Sequence, residues 1–219
     1  MTNYCSGDIV SAYLFAGFRA LGLDEDVQMS TALVPLVDEF LTFQGQPVNR
    51  PNTVTTLDKF QAQNRFYGGQ VGGRLEFNVC RVNVSLLGQL AVGVSELEMR
   101  IAGSSSLVTP TGTTTVPGGV LAVASNIGRY RRDEVGLVPG FGLQFGYQLT
   151  DHLEVHFGYS ALWWAHVERP GKAIDRTVAP GLVPTDPLFG TAGGTRPAFQ
   201  FQPSLYSAQG LTFGLTFLF

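Results

Sequence analysis

Glu154, His156 and Ser160 are the residues whose types could do acyl-transfer chemistry, with Ser160 as nucleophile, His156 as its base and Glu154 as orienting acid. On a strand all three share one face, and only Gly158 separates His156 from Ser160 on it. Side chains on one strand run parallel rather than converge, and no oxyanion hole is marked, so a plain polar face is the better reading. Asp24-Glu25-Asp26 could hold a divalent cation but reads first as solvated acids. Gly68-Gly69 with Gly72-Gly73 lacks the Lys-Ser/Thr ending of a phosphate loop, and glycine there relieves crowding inside a strand. Arg129, Arg131 and Arg132 could meet anionic headgroups or sugar phosphates, or could form a plain basic rim. Cys5 and Cys80 are too few for a disulfide scaffold and wrongly spaced for zinc, and a bridge or two thiols both stay open. No catalytic residue, cofactor or metal is therefore assigned.

The elements that carry these residues are strands. Only 14% of the 219 residues are charged, against about a quarter in ordinary domains, while 27 are glycine and 11% are aromatic. A net charge of −3 gives nucleic acid no basic footprint. The last ten residues, Gly210 to Phe219, put Leu211, Phe213, Leu215, Phe217 and Phe219 on one face and Gly210, Thr212, Gly214 and Thr216 on the other. Five large apolar side chains at a chain end need a cover, and lipid supplies one in a transmembrane β-barrel.

The same period of two recurs upstream. A first strand spans about Ile9–Leu33, leaving the apolar zone at Asp24-Glu25-Asp26, and a second spans Asp58–Phe77. A tight turn at Asn78–Arg81 leads to a third, in which Val82, Val84, Leu86, Leu90, Val92 and Val94 alternate with polar residues. Ile127–Leu149 and the segment from Leu153 past Trp163 form the fourth and fifth, joined by Thr150-Asp151-His152. Segments 34–57, 103–126 and 168–205 read as long loops rich in Gly, Pro, Ser or Thr. Connections thus alternate long, short, long, short, long, as in outer-membrane barrels with short periplasmic turns and long outer loops.

On this reading Arg19, Gln70, Arg74, Glu76, Gln89, Glu134, Gln144, Gln148, Glu154 and His156 face a lumen. Phe157 and Phe213 face lipid, with Trp163 at one interface and Tyr147, Phe217 and Phe219 at the other as an aromatic girdle. The fold class expected is an antiparallel up-and-down transmembrane β-barrel forming a single domain over 1–219. Six strands are fewer than the eight or more of single-chain barrels. A barrel truncated at its N-terminus is the favoured explanation, ahead of a hairpin hidden in a loop or of several chains combining. The first residues also lack the basic start and cleavage site of a signal peptide, which points to a mature chain or a piece of a longer one.

Several stretches together resemble a family of β-barrel porins of the bacterial outer membrane. They include Phe18-Arg19-Ala20-Leu21-Gly22-Leu23-Asp24-Glu25, Asn64 to Gly72, Gly118-Gly119-Val120-Leu121, Ser125 to Tyr130, Gly146 to Leu153, Arg169-Pro170-Gly171 with Ile174-Asp175-Arg176, and Ala208-Gln209-Gly210-Leu211. The aromatic final strand ending in Phe219 also resembles the signal by which barrel-assembly machinery recognises its clients. The resemblance implies an outer-membrane barrel in contact with lipid, and no substrate or catalytic residue. Function is expected to be a porin-like passive channel or a structural surface barrel with displayed loops. A soluble barrel binding an apolar ligand is the alternative, and a lipid hydrolase ranks below it.

Overall fold

The computed structural model describes Val10–Phe217 and is all-β apart from two single 3-10 turns at Pro170–Lys172 and Pro180–Leu182. Residues alternating in polarity form six long strands: β1 (Val10–Leu33), β4 (Thr53–Val79), β5 (Val82–Thr109), β7 (Gly128–Thr150), β8 (Leu153–Val167) and β9 (Ser204–Phe217). They pair antiparallel in the order β1-β4-β5-β7-β8-β9, so among the described residues β1 and β9 are the two ends of the sheet. The turns β4–β5 and β7–β8 are short, at Cys80-Arg81 and Asp151-His152, and the other connections are long. Cys80 is disulfide-bonded, and Cys5 lies outside the described residues, as does Phe219.

Two segments read as loops contain strands. Residues 103–126 continue β5 to Thr109 and return as β6 (Gly112–Pro117), paired from Ser104↔Pro117 to Thr109↔Gly112. Their Ser and Thr runs resemble loop sequence in composition, yet these hydroxyl side chains pair across strands, as Ser106 does with Thr115 at 2.8 Å. The first long connection holds a hairpin, β2 (Leu41–Phe43) and β3 (Gln46–Val48). Its Phe43 and Val48 pack on Val54, with Leu107 and Val116 beside them. Two of the long connections thus hide hairpins, but β2–β3 forms a separate sheet and β6 pairs only with the far end of β5, so neither adds a strand to the six-strand order.

The sheet is a curl. Phe66 on β4 and Trp164 on β8 have β5 and β7 between them, about 14 Å apart in a flat sheet, yet their ring centroids meet at 6.3 Å. The wall therefore bends toward the face that carries them. Gly68, Gly93 and Gly136 lie in one cross-strand row at the bend. A Cβ on Gly93 would fall 2.0 Å from the Tyr67 carbonyl oxygen, and one on Gly136 would fall 2.4 Å from Ser95 Oγ.

Each of the first four long strands inverts its polarity at a single row, Ala20↔Tyr67↔Val94↔Val135. On the turn side of this row the convex face is apolar: Leu14, Phe18, Val71, Val92, Leu137 and Phe145 are exposed there. Beyond it the convex face carries Asp24, Arg65, Glu98 and Arg131. The concave face does the reverse, with Gln70 and Arg74 on the turn side and buried Phe60, Ala62, Leu97, Met99 and Ile101 beyond.

Gly93→Val is expected to cost at least ~2 kcal/mol of unfolding free energy, because backbone on the neighbouring strand cannot yield to the new side chain. Gly69→Ala, where nothing lies within 4 Å of the added methyl, is expected to cost under ~1 kcal/mol. Urea unfolding in lipid or detergent checks both values.

Candidate functional site: the concave face and its cap

On the turn side of the inversion row, polar side chains from five strands share the concave face. Arg19 on β1, Gln70, Arg74 and Glu76 on β4, Gln89 on β5, Gln144 and Gln148 on β7, and Glu154 and His156 on β8 share this face. Arg74, Ser85, Gln144, His156, Ser160 and Thr212 line a recess of about 200 Å³. Arg74 lies 3.6 Å from Glu76. Glu134 is on the same face just beyond the row, 2.8 Å from Arg132.

The acyl-transfer geometry does not form. His156 turns toward β9, where a Cβ on Gly214 would sit 2.1 Å from its Nε2. Glu154 turns the other way, toward β7, with its Oε1 2.4 Å from a Cβ placed on Gly146. The acid thus leaves the imidazole it would have to orient. Alternation likewise splits Asp24 and Asp26, on the convex face, from Glu25 on the concave one. Among the described residues no cluster of three or more His, Cys, Asp or Glu could hold a metal.

Phe157 and Phe213 stack across β8–β9 on the convex face, with centroids 5.0 Å apart. Tyr147, Trp163 and Phe217 share that face. Trp164, one residue on from Trp163, is fully buried on the concave side and donates from Nε1 to Ser95 Oγ at 3.0 Å. Alternation then breaks at His166, which has φ 60° in a bulge between Trp164 and Val167. His166 is exposed, with Nδ1 3.1 Å from the Val135 carbonyl oxygen.

The basic trio also divides. Arg129 and Arg131 reach Glu98 on the convex face at 2.6 and 2.9 Å, and the Arg129 hydrogen bond holds the Glu98 carboxyl below the usual carboxylate range. Arg65 grips Asp24 bidentately at 2.6 and 2.8 Å and lowers it likewise. Arg132 lies inside, 6.0 Å over the Phe201 ring.

Beyond the inversion row the concave face is covered by folded loops. Asp58, buried on β4, accepts backbone N–H groups of Val120, Leu121 and Ala122 on Oδ1 at 3.0, 3.0 and 2.7 Å. Three donors on one oxygen satisfy a carboxylate that burial would otherwise penalise. Gly119 is required beside it, since a Cβ there would fall 2.1 Å from Asp58 Oδ1. Asn126 closes the same loop, accepting the Val123 N–H at 2.8 Å and donating to the Leu121 carbonyl at 2.9 Å. Ala122 and Ala173 then complete a core with Phe60, Ala62, Met99 and Ile101. Tyr130 stacks on Phe199, centroids 4.3 Å apart.

The three long connections are tied to one another. Gln44 N–H donates to the Pro184 carbonyl at 2.6 Å, and Ser125 Oγ donates to the Pro197 carbonyl at 2.7 Å. Asn64 on β4 bridges to the start of the third connection, accepting the Glu168 N–H at 2.8 Å and donating to the Glu168 carbonyl at 3.0 Å. Arg169 clasps Glu25 at 3.0 and 2.7 Å. The result is a cap knitted over the concave face on the side of the long loops.

A family model described as Putative beta barrel porin-7 (BBP7) matches residues 5–219. The chain belongs to this family. No curated protein and no solved structure matches it. The curled antiparallel sheet is consistent with a β-barrel family.

Sequence reasoning missed Asp58, Asn64 and Glu168, which seat the cap, and Trp164, which packs at the bend. The available signal was phase: in β4 the apolar residues move from odd positions at Tyr67, Val71 and Leu75 to even ones at Phe60, Ala62 and Phe66. Asp58→Ala is expected to lose about 3 kcal/mol of cap stability, since three N–H donors lose a charged acceptor in a buried site. Hydrogen exchange of residues 118–127 checks this, and the strands on the turn side are expected to stay protected.

Proposed function

We propose that this chain builds the wall of a bacterial outer-membrane barrel, with its apolar convex band in lipid and its polar concave face lining a passive, porin-like channel. The observation that carries the reading is the common inversion row at Ala20, Tyr67, Val94 and Val135. From Val82 to Val94, twelve steps of about 3.3 Å give about 40 Å along the strand, or about 28 Å of height at 45° tilt. That height suits a hydrocarbon core of about 30 Å. Asp24, Arg65, Glu98 and Arg131 then stand at headgroup level, and the long connections lie outside the cell.

A soluble barrel around an apolar ligand is poorly supported, because Leu86, Phe141, Phe157 and Phe213 are on the convex side and gather around no common dry centre. The folded cap favours one further reading within the same class: a surface barrel whose displayed loops matter more than flux. In hydrocarbon the free edges of β1 and β9 must find partners, so closure takes further strands, in an even number, beyond these six. Assembly would proceed through barrel-assembly machinery acting on the terminal strand.

Phe213→Arg is expected to destabilise the inserted form by ~2–4 kcal/mol and to abolish the heat-modifiable band on gels. Gln144→Arg, on the opposite face, is expected to insert normally and to change single-channel conductance and ion selectivity in planar bilayers. Normal insertion of Phe213→Arg would overturn the membrane assignment.

A further inference from the structure

Glu168 stands where the third long connection leaves β8, and its side chain is completely buried. Its backbone is fixed to Asn64, three strands away across the curl, and its Oε2 accepts the Gln202 N–H at 3.0 Å where the connection returns to β9. One carboxyl therefore joins both ends of the segment that forms much of the cap. Its Oε1 is buried and has no hydrogen-bond partner.

A buried carboxylate with one empty oxygen is costly, whereas the neutral acid loses far less on leaving water. The surroundings offset only part of that cost. On β7, Glu134 faces the site and Arg132 is engaged with it at 2.8 Å. Lys172 approaches from the 3-10 turn, and on β8 His166 lies 3.8 Å from Glu134. The next residue, Arg169, is committed to Glu25 on β1. β4 presents the neutral Asn64, and the returning segment presents Gln202, with Phe201 beside Arg132.

We propose that Glu168 is a proton-operated latch: protonated, it holds the third connection shut over the concave face, and ionised, it releases the cap. The inference rests on the channel reading for its consequence, an opening of the outer mouth, but not for the latch itself. Desolvation raises this carboxyl above its ordinary value and Glu134 adds to the rise, while the Gln202 N–H, Lys172 and Arg132 pull in the opposite direction without cancelling it. A raised folded-state pKa contributes stability that is complete below the unfolded value and lost as pH rises through the folded one, so the cap loosens toward alkaline pH. Asp24, Glu98 and Asp175 are shifted the opposite way, weaken only in acid and cannot produce this signal.

The test follows hydrogen exchange of residues 168–203 in the full chain, in lipid nanodiscs, from about pH 5 to about pH 8, beside single-channel conductance over the same range. After correction for intrinsic exchange, the wild type is expected to lose protection roughly tenfold or more as pH rises, while residues 82–94 stay protected. Glu168→Gln, which keeps an acceptor for the Gln202 N–H and cannot ionise, is expected to stay closed throughout. His166→Gln is expected to behave as wild type. Protection that is flat in the wild type, or that falls equally in Glu168→Gln, overturns the latch. A pH-dependent, Glu168-dependent loss of protection without any conductance supports the latch and counts against the channel reading alone.

Discussion

One continuous sheet has to satisfy two solvents, and the row Ala20↔Tyr67↔Val94↔Val135 is where it changes from one to the other. Backbone pairing crosses that row without interruption, so the strands need no break to change environment. Only the side chains exchange roles. Below the row the outer face bears Leu, Val and Phe; above it that face becomes a lattice of Asp24–Arg65 and Glu98–Arg131 contacts. Because successive side chains of a strand point to opposite faces, making the outside polar frees the inside to become a core. The cap exists because the wall offers it that core.

This explains why long loops, which ordinarily stay on the surface, turn inward here. A loop covering a sheet face brings backbone N–H and C=O groups that must be satisfied. Asp58 takes three N–H groups of one loop, Asn126 takes a fourth group and supplies a donor, and Asn64 supplies both a donor and an acceptor to another. Polar residues within an apolar inner face, which look misplaced from composition, are what make coverage by irregular chain affordable. Gly119 and Gly103 complete the fit, since a side chain at either would meet the opposing loop or its anchor.

What the sequence made legible was local. Period-two alternation located the six long strands and the two short turns to within a few residues, apart from the hidden ends of β4 and β5, and the residues it grouped together share a face of the sheet as far as Trp163. It failed where alternation continues but its meaning reverses. Lys59, Gln61, Gln63 and Arg65 are outward residues of β4 that carry the wrong polarity for lipid, and the strand's true start at Thr53 follows directly on Pro51 and Asn52, whose turn chemistry reads as loop. The bulge at His166 shifts phase by one residue, which no count of apolar positions reveals. Asp58 and its partners at 120–122, or Asn64 and Glu168, are joined across 62–64 and 104 residues of chain, and a carboxylate waiting for distant N–H groups looks like any other acid.

Because the cap's core lies entirely beyond the inversion row, the two halves of the wall answer to different influences. In the proposed membrane setting, bilayer thickness and lipid composition act on the outer face below Tyr67 and Val94, where mismatch costs fractions of a kcal/mol per ångström. In the same setting, solutes act on residues above it, among them Glu25, Arg132 and Glu168, which lie on the concave side of the wall or in the connection that covers it. Aromatic packing of Phe66 and Trp164 over the Gly68–Gly93–Gly136 bend is a place where both halves share a contact surface. A perturbation of the cap can reach the lower half through that bend or through the strands themselves, so a wall that stays rigid at the glycine row lets the cap move without disturbing the part that lipid holds.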